Sequence, residues 1–250
     1  MNIKDLTSFV KKHLISLNIK KNDNIVVHAD ISSFGIYHPK LPNIIIKSIL
    51  SLIGKRGTMA LPAYNTTLNK KKIINIKKNF SKKENSILSK YFLKNYKHVK
   101  TNSLFHSHMV KGYLENNFKN NINYNYFGKN SDFEIFNFNN FKLLLLGCDA
   151  ARGCTYLHHI EDKTKKNYRF NKIINFKIKI KNKILKKNIV YKIRKKNILL
   201  NFNKIFFLPS VKKITKVSYL KFGASYLVNI KKFDEVCSKI LKDKPNILVK

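Results

Sequence analysis

The chain has 250 residues and 44% hydrophobic content, which suffices for a large core and argues against a disordered chain. Its 51 lysines and arginines against 13 acidic residues give a formal net charge of +38, a balance that attracts polyanions. Only four of these cations are arginine, the better residue for bidentate contacts, and lysine is spread along the whole chain. We therefore attribute the charge to biased composition, expect no nucleic-acid partner and treat residues 1–250 as one domain.

The first residues, "MNIKDLTSFVKKHL", lack the apolar segment and the small-residue cleavage site of a signal peptide. No window of the sequence reaches about 18 uninterrupted apolar residues, the length of a membrane-spanning helix. We therefore expect a cytoplasmic protein with no membrane partner. Cys148, Cys154 and Cys237 are expected to be reduced, because an odd number without a secretion signal does not indicate a disulfide framework.

Two short β-branched runs and the segment between them predict a strand, a helix and a second strand. "NIVVHAD" begins at Asn24 and "GTMALPAY" begins at Gly57. Between them the apolar residues recur at helical spacing, Pro42 suits a helix start and Gly54 suits its end. A connection of this length normally joins parallel strands by a right-handed crossover, so the first half predicts an α/β layer.

The rest of the chain completes the predicted fold. "NKKKIINIKKNF", from Asn69, indicates a loop, and "ENSILSKYFLKNY" indicates a helix. "FKLLLLGCD" is the continuous apolar run typical of a strand buried on both faces. Alternation from Phe176 to Lys196 indicates an antiparallel hairpin with one wet face, and the tail from Ile230 has helical spacing. The predicted class is α/β, with a mixed central sheet, helices on both faces and a C-terminal antiparallel hairpin region.

The stretch "LLLLGCDAARGCTYLHHIED", residues 143–162, leads from this buried strand into a predicted helix. Positions three apart share a helix face, so His158 faces Glu161 and His159 faces Asp162. A carboxylate that holds one imidazole nitrogen leaves the other able to take a substrate proton, so each pair is a candidate general base. Spacing alone does not choose between the pairs, and a solvated helix face with incidental ion pairs explains the same residues.

Other motifs in the sequence give weaker indications of a binding or catalytic site. "HADISSFG", from His28, offers hydroxyl and backbone N–H groups to a phosphate, although many turns have this composition for conformational reasons. The sequence has no GxGxxG, Walker loop or GxSxG motif, and no histidine or cysteine spacing of a zinc site, so we expect no metal. His28 is expected to be structural. The histidines expected on the surface are His13, His38 and His98.

Taken in chain order, these segments resemble the aminoglycoside 3-N-acetyltransferase family. "VVHADISSFG" resembles its first strand and CoA loop, "GTMALPAYN" its Gly-Thr strand with a proline turn, and "FGKNSDFEIF" its Gly-x-x-Ser segment. Residues 143–162 carry the apolar run, the glycine and the Thr-x-x-His-x-x-Glu of the family, and "KFGASYLVNIKKFDEV" fits its C-terminal region. The resemblance spans nearly the whole chain in order, which makes it more specific than any single motif.

The resemblance implies an N-acetyltransferase that uses acetyl-CoA and transfers acetyl directly to a small-molecule amine in a ternary complex. His158 matches the general base of the family and Glu161 the acid that orients it, which makes His159 and Asp162 bystanders. A homodimer is an open alternative for the assembly. The resemblance also implies which residues lie against the CoA pyrophosphate or pantetheine arm: Ser32, Ser33, Phe34 and Gly35. Ser107 is implied to face the same cleft.

The chain departs from the family pattern at the implied cofactor wall and in its charge. Ser103 and Leu104 stand where a His-Pro pair is usual, Asp30 where a serine is common, and Ala63 where a threonine is usual. Family members hold polycationic aminoglycosides in acidic pockets, whereas this chain has 13 acidic residues in total. We expect an aminoglycoside or a less cationic amino sugar, from surface-polysaccharide synthesis or linked to a nucleotide. A basic nucleic-acid-binding protein is the alternative from another class.

Overall fold

The computed structural model describes residues 1–68, 72–119, 122–124, 126–180 and 182–250. The helices are α1 (Ile3–Ser16), α2 (Leu41–Ile53), α3 (Ile87–Asn95), α4 (Glu115–Lys119), α5 (Asp132–Phe138), α6 (Ala150–Gly153), α7 (Tyr156–Lys163), α8 (Asn203–Phe207), α9 (Pro209–Ile214) and α10 (Ile230–Asp243). The strands are β1 (Asn24–Ala29), β2 (Thr58–Tyr64), β3 (Ile73–Asn75), β4 (Val99–Lys100), β5 (Asn102–Ser103), β6 (His106–Gly112), β7 (Ile122–Asn123), β8 (Lys142–Leu146), β9 (Arg169–Ile180), β10 (Lys183–Arg194), β11 (Thr215–Leu220) and β12 (Gly223–Asn229). A 3₁₀ turn, Ile31–Phe34, follows β1.

The central sheet is mixed, with strand order β11-β12-β8-β1-β2-β6-β4. β1 pairs in parallel with β2 and with β8, whereas the other neighbouring strands are antiparallel. The carboxyl ends of β1, β2 and β8 therefore meet at one edge of the sheet. The antiparallel β6 begins at this end of the sheet with His106, so its first side chains lie beside the loops that follow the parallel strands. Ligands bind to such loops in open α/β sheets.

Helices cover both faces of this sheet. Successive strand residues point to opposite faces. Leu143 and Leu145 of β8 pack in one core with residues of α5, α7 and α10, whereas Leu144 and Leu146 pack in another with residues of α1, α2 and α3. The continuous apolar run is needed because β8 has no wet face. The predicted α/β class, with a mixed sheet between two helical layers, is confirmed.

Local sequence signals predicted the parallel strands of the central sheet and several of the helices correctly. The strand, helix and parallel strand predicted for the first half are β1, α2 and β2. Gly54 ends α2 with a φ of 66°, a left-handed backbone angle that glycine adopts without strain. The helices predicted around "ENSILSKYFLKNY" and in the tail are α3 and α10. No described helix is long and apolar enough to cross a membrane.

Two predicted segments and one histidine differ from expectation. The antiparallel hairpin is confirmed, but its first strand begins at Arg169 instead of Phe176. In the predicted loop from Asn69, residues 69–71 lie outside the described residues, and Ile73–Asn75 is a strand that pairs in parallel with β9. Burial of its apolar residues against β9 outweighs the lysine-rich surroundings. His13, expected on the surface, is buried.

The burial of His13 has a local explanation. It is 7% exposed, and its Nε2 lies 2.9 Å from the Ser225 hydroxyl, while its ring packs edge-on against Phe34. A second hydroxyl, that of Ser218, lies 3.2 Å from its Nδ1, so two hydrogen-bond partners and an aromatic neighbour offset the cost of removing the imidazole from water. The helical position of His13 in the sequence indicated none of these contacts, because each partner belongs to a distant segment.

Candidate active site

The strand ends gather histidines from separate segments. His28 lies near the end of β1, His106 and His108 lie at the start of β6, and His158 lies in α7. The Tyr64 ring at the end of β2 lies between two of them, with ring centroids 4.8 Å from His106 and 5.3 Å from His108. The fold thus brings together titratable groups of β1, β2, β6 and α7 that are far apart in the sequence.

His158 and Glu161 form the first of the two pairs that helical spacing allowed. The His158 Nδ1 lies 2.6 Å from the Glu161 Oε2. The carboxylate is fully buried, whereas 32% of the imidazole is exposed. Because a carboxylate can only accept, Nδ1 carries the proton at this distance, and Nε2 is the nitrogen left to act on a ligand.

Two residues that begin the next segment hold Glu161 in place. The Arg169 Nη2 lies 2.6 Å from Oε2, and the Tyr168 hydroxyl donates to Oε1 at 2.8 Å. Burial opposes ionisation of Glu161, yet the hydrogen bonds and charges of His158 and Arg169 hold the pKa of its carboxyl below its ordinary value. Arg169 Nη2 also lies 2.9 Å from the His158 Nδ1, but a protonated nitrogen accepts no hydrogen bond, so Arg169 acts on the carboxylate.

The second pair has its partners elsewhere. His159 is 6% exposed, and its Nδ1 accepts the Gly128 backbone N–H at 3.2 Å. Burial lowers the pKa of His159 below its ordinary value, which favours this neutral, accepting ring. Asp162 is in contact with the Lys192 ammonium. Of the two pairs that spacing allowed, His158 with Glu161 is therefore the one that forms a hydrogen bond in the structure.

A cleft of about 390 Å³, here named the strand-end cleft, opens where β1, β2 and β8 end. Thr155, at the start of α7, lines it and makes no side-chain cap to its own helix. Cys148 also lines it, but burial raises the pKa of that thiol to about 12, so the sulfur stays protonated and is not a nucleophile. Among the residues that the structure describes, no group of three or more His, Cys, Asp or Glu side chains is placed to hold a metal ion.

A second cleft of about 450 Å³, here named the hairpin cleft, lies between α7 and the β9–β10 hairpin. His158 lines this cleft, and Thr155, one helical turn earlier, lines the first. The two clefts thus flank the first turn of α7. Residues that line the hairpin cleft beside His158 include His106, Phe127, Arg169, Tyr191 and Arg194.

The loop implied to bind CoA satisfies its own polar groups. The Asp30 carboxylate accepts the Ser32 N–H at 3.2 Å and the Ser32 hydroxyl at 2.5 Å, and the Ser33 hydroxyl donates to the Asp30 carbonyl at 2.7 Å. Phe34 is 1% exposed, and Gly35 ends the turn with a φ of 68°. These residues shape the cleft wall, and the start of the loop, at Asp30, lines the cleft itself.

Gly147 fixes this loop against the end of β8. A Cβ at position 147 would collide with the Ser33 hydroxyl and lie 2.7 Å from the Asp30 carbonyl oxygen. With a φ of 68°, the position also favours glycine by conformation. Ser107, the remaining residue implied to face the cofactor, is fully buried, and its hydroxyl donates to the Ala63 carbonyl at 2.6 Å. Its implied role stays a prediction.

A second histidine–carboxylate pair was not indicated by the sequence. The His108 Nδ1 lies 2.8 Å from the Asp132 Oδ2, and the His108 Nε2 lies 3.2 Å from the Tyr64 hydroxyl. The Thr101 and Ser103 hydroxyls donate to the same carboxylate at 2.6 and 2.7 Å. Ser103, which stands where the family pattern has a histidine, therefore helps to hold a histidine contributed by the following strand.

Comparison with known proteins agrees with this architecture. A family model described as aminoglycoside 3-N-acetyltransferase matches residues 26–206. No curated protein matches the chain in sequence. The aminoglycoside acetyltransferase AAC(3)-Xa is 13% identical and superposes with a TM-score of 0.82, covering 95% of this chain and 92% of that one.

Two further solved structures have the same fold. The YokD protein from Bacillus subtilis is 15% identical, with a TM-score of 0.79 over 95% of this chain and 99% of that one. AAC-IIIb, in a binary structure with CoASH, is 16% identical, with a TM-score of 0.78 over 95% and 96%. Because the family model covers well over half of the sequence, the chain belongs to the aminoglycoside 3-N-acetyltransferase family and is an acetyltransferase.

Proposed function

We propose that the protein transfers the acetyl group of acetyl-CoA to an amine of an aminoglycoside or a related amino sugar. His158 is the general base and Glu161 is the acid that orients it. The observation that carries this proposal is a partly exposed imidazole 2.6 Å from a fully buried carboxylate, at the wall of a cleft. Family membership supports the reaction class, and the CoASH in the AAC-IIIb structure supports the acetyl donor.

The chemistry follows from the free nitrogen of His158. Nε2 accepts a proton from the substrate amine while the amine nitrogen bonds to the thioester carbonyl carbon. The C–S bond then breaks, and the proton passes from His158 to the departing sulfur. Glu161 stabilises the imidazolium that exists between these two transfers, and Arg169 with Tyr168 keeps the carboxylate from turning away. A positioned general base contributes about 10²- to 10⁴-fold to the rate.

The two clefts provide for two substrates. We propose that acetyl-CoA binds in the strand-end cleft, because the implied cofactor loop begins there and Ala29 and Ile31 give an apolar wall suited to the pantetheine arm. Lys90 and Arg152 add cations for its phosphates. The acceptor then binds in the hairpin cleft beside His158. Residues 32–35 contribute the shape of the wall, since Asp30 already binds the Ser32 donors and the Ser33 hydroxyl.

The test is a His158→Ala variant assayed for release of the CoA thiol from acetyl-CoA, with kanamycin and glucosamine as acceptors. We expect a rate at least about a hundredfold lower, because the proton acceptor is removed. CoA binding measured by calorimetry should persist, because His158 does not line the strand-end cleft. His38→Ala is the matched control, since His38 lines neither cleft. Retained turnover in the His158 variant would overturn the proposed base.

A further inference from the structure

One face of the β9–β10 hairpin places three of its cations at the hairpin cleft. Arg169 and Arg194 are direct cross-strand partners, and the side chains of such partners lie on the same side of the ribbon. Lys192 precedes Arg194 by two residues and therefore points to the same side. All three line the hairpin cleft, so this face of the hairpin is a wall of the proposed acceptor site.

These three charges differ in how they are neutralised. Arg169 is bound to the Glu161 carboxylate, and the Lys192 ammonium is in contact with Asp162. Arg194 has no ion-pair partner among the described residues. Arg194 lies directly across from Arg169, whose charge Glu161 already neutralises, so Arg194 is the cation of the three that is left without a carboxylate.

The hairpin cleft offers no free carboxylate to a polycation. None of the described residues that line it is acidic. The acidic residues that contact its lining already have partners. Glu161 binds Arg169 and Asp162 contacts Lys192. Glu84 accepts hydrogen bonds from the backbone and hydroxyl groups of Thr66 and Thr67. A second or third ammonium group of an aminoglycoside would therefore meet the unpaired charge of Arg194 and find no free carboxylate among the described lining residues.

We propose that the acceptor is an amino sugar that carries a phosphate group, bound by Arg194 and Lys192 while its amine reaches His158. This inference rests on the proposed function. The planar guanidinium of Arg194 matches a phosphate with two parallel hydrogen bonds. Lys192, whose ammonium also contacts Asp162, adds N–H donors on the same face. The formal charge of +38 attracts such anions towards the cleft and repels polycations.

The experiment compares four acceptors by thiol release from acetyl-CoA: glucosamine, glucosamine 6-phosphate, uridine diphosphate-linked glucosamine and kanamycin. We expect kcat/KM for a phosphate-bearing acceptor to exceed that for glucosamine by about ten- to a hundredfold, the range of one charged hydrogen-bonded contact. The two phosphate arms distinguish a sugar phosphate from a nucleotide-linked sugar. In Arg194→Gln, the KM for the preferred phosphate acceptor should rise about tenfold with kcat less affected.

Lys186→Gln is the matched control. It removes one charge from the same strand of the hairpin, at an exposed position outside the cleft. Equal effects of the Lys186 and Arg194 variants would indicate the general field of the protein and overturn the inference. Faster acetylation of kanamycin or of unphosphorylated glucosamine would also overturn it, while leaving the proposed function intact. Absence of thiol release with every acceptor would overturn both.

Discussion

His158 and His108 each hold a carboxylate through Nδ1, in two regions of the molecule with different access to solvent. The distances are similar, 2.6 Å to Glu161 and 2.8 Å to Asp132, and both carboxylates are buried. The imidazoles differ: 32% of His158 is exposed, whereas His108 is 0% exposed and its Nε2 contacts the Tyr64 hydroxyl. A histidine–acid pair is therefore a candidate catalyst only where the second nitrogen reaches a cleft, and elsewhere it holds strands together.

The largest expected effect on stability comes from the buried pair. In His108→Ala, Asp132 keeps the Thr101 and Ser103 hydroxyls but loses the imidazole that contacts its Oδ2 in the core. Removing one member of a buried pair costs about 3–5 kcal/mol of unfolding free energy. His158→Ala should cost less, since Glu161 keeps Arg169 and Tyr168. Urea unfolding of both variants checks this, and a larger loss in the His158 variant would reverse the assignment of the two pairs.

The next largest effect is on kcat, which should respond differently to replacement of Glu161 and of Asp132. Glu161→Gln leaves a neutral amide that neither fixes the Nδ1–H tautomer of His158 nor stabilises its imidazolium, so kcat should fall by about a hundredfold or more. Asp132→Asn should lower the unfolding free energy and leave kcat of the folded enzyme within about threefold, because Asp132 lines neither cleft. Thiol release at saturating acetyl-CoA measures kcat of the two variants. Comparable losses of kcat would show that the buried pair also takes part in the reaction.

The contrast between these two pairs also shows which contacts could be predicted from the sequence. His158 and Glu161 are three residues apart in one helix, so helical spacing alone predicted their contact. The parallel strands of the central sheet, β1, β2 and β8, were likewise predicted from local patterns, and Pro42 and Gly54 indicated the helix α2 between the first two. The antiparallel strands of the sheet were not predicted. His108 and Asp132 are 24 residues apart and meet through the packing of α5 on the sheet, which no local pattern encodes.

Arg169 and Ser107 make contacts that no local sequence pattern specifies. Arg169, which holds Glu161, begins a strand after the helix has ended, so neither helical nor strand period connects the two. Ser107 was expected to face the cofactor cleft. Strand alternation points the side chains of His106 and His108 towards Tyr64, and Ser107 between them donates to its cross-strand partner Ala63. Motif resemblance indicated this segment, whereas the contacts of each of its side chains depend on strand register, and the role of Ser107 towards the cofactor stays a prediction.

The smallest expected effect concerns a buried histidine without a carboxylate. Burial, with a smaller effect from the charge of His108, lowers the pKa of His28 to about 3 in the folded chain, against about 6.5 when it is unfolded. The unfolded state therefore binds a proton that the folded state does not, so this contribution to stability is complete above pH 6.5 and declines as pH falls towards 3. One such proton changes the unfolding free energy by at most about 1.4 kcal/mol per pH unit.

Replacing this group isolates its share of the acid sensitivity. His28→Leu removes the proton-binding site of the unfolded chain, so its unfolding free energy should fall less steeply between pH 6.5 and 5 than that of the wild type, by about 1 kcal/mol per pH unit. Urea unfolding at three pH values gives both slopes. Other buried histidines whose pKa is lowered, such as His106 and His159, titrate in both proteins and cancel in the difference. Equal slopes would contradict the lowered pKa of His28, because they would mean that its imidazole takes up a proton equally in the folded and unfolded chains.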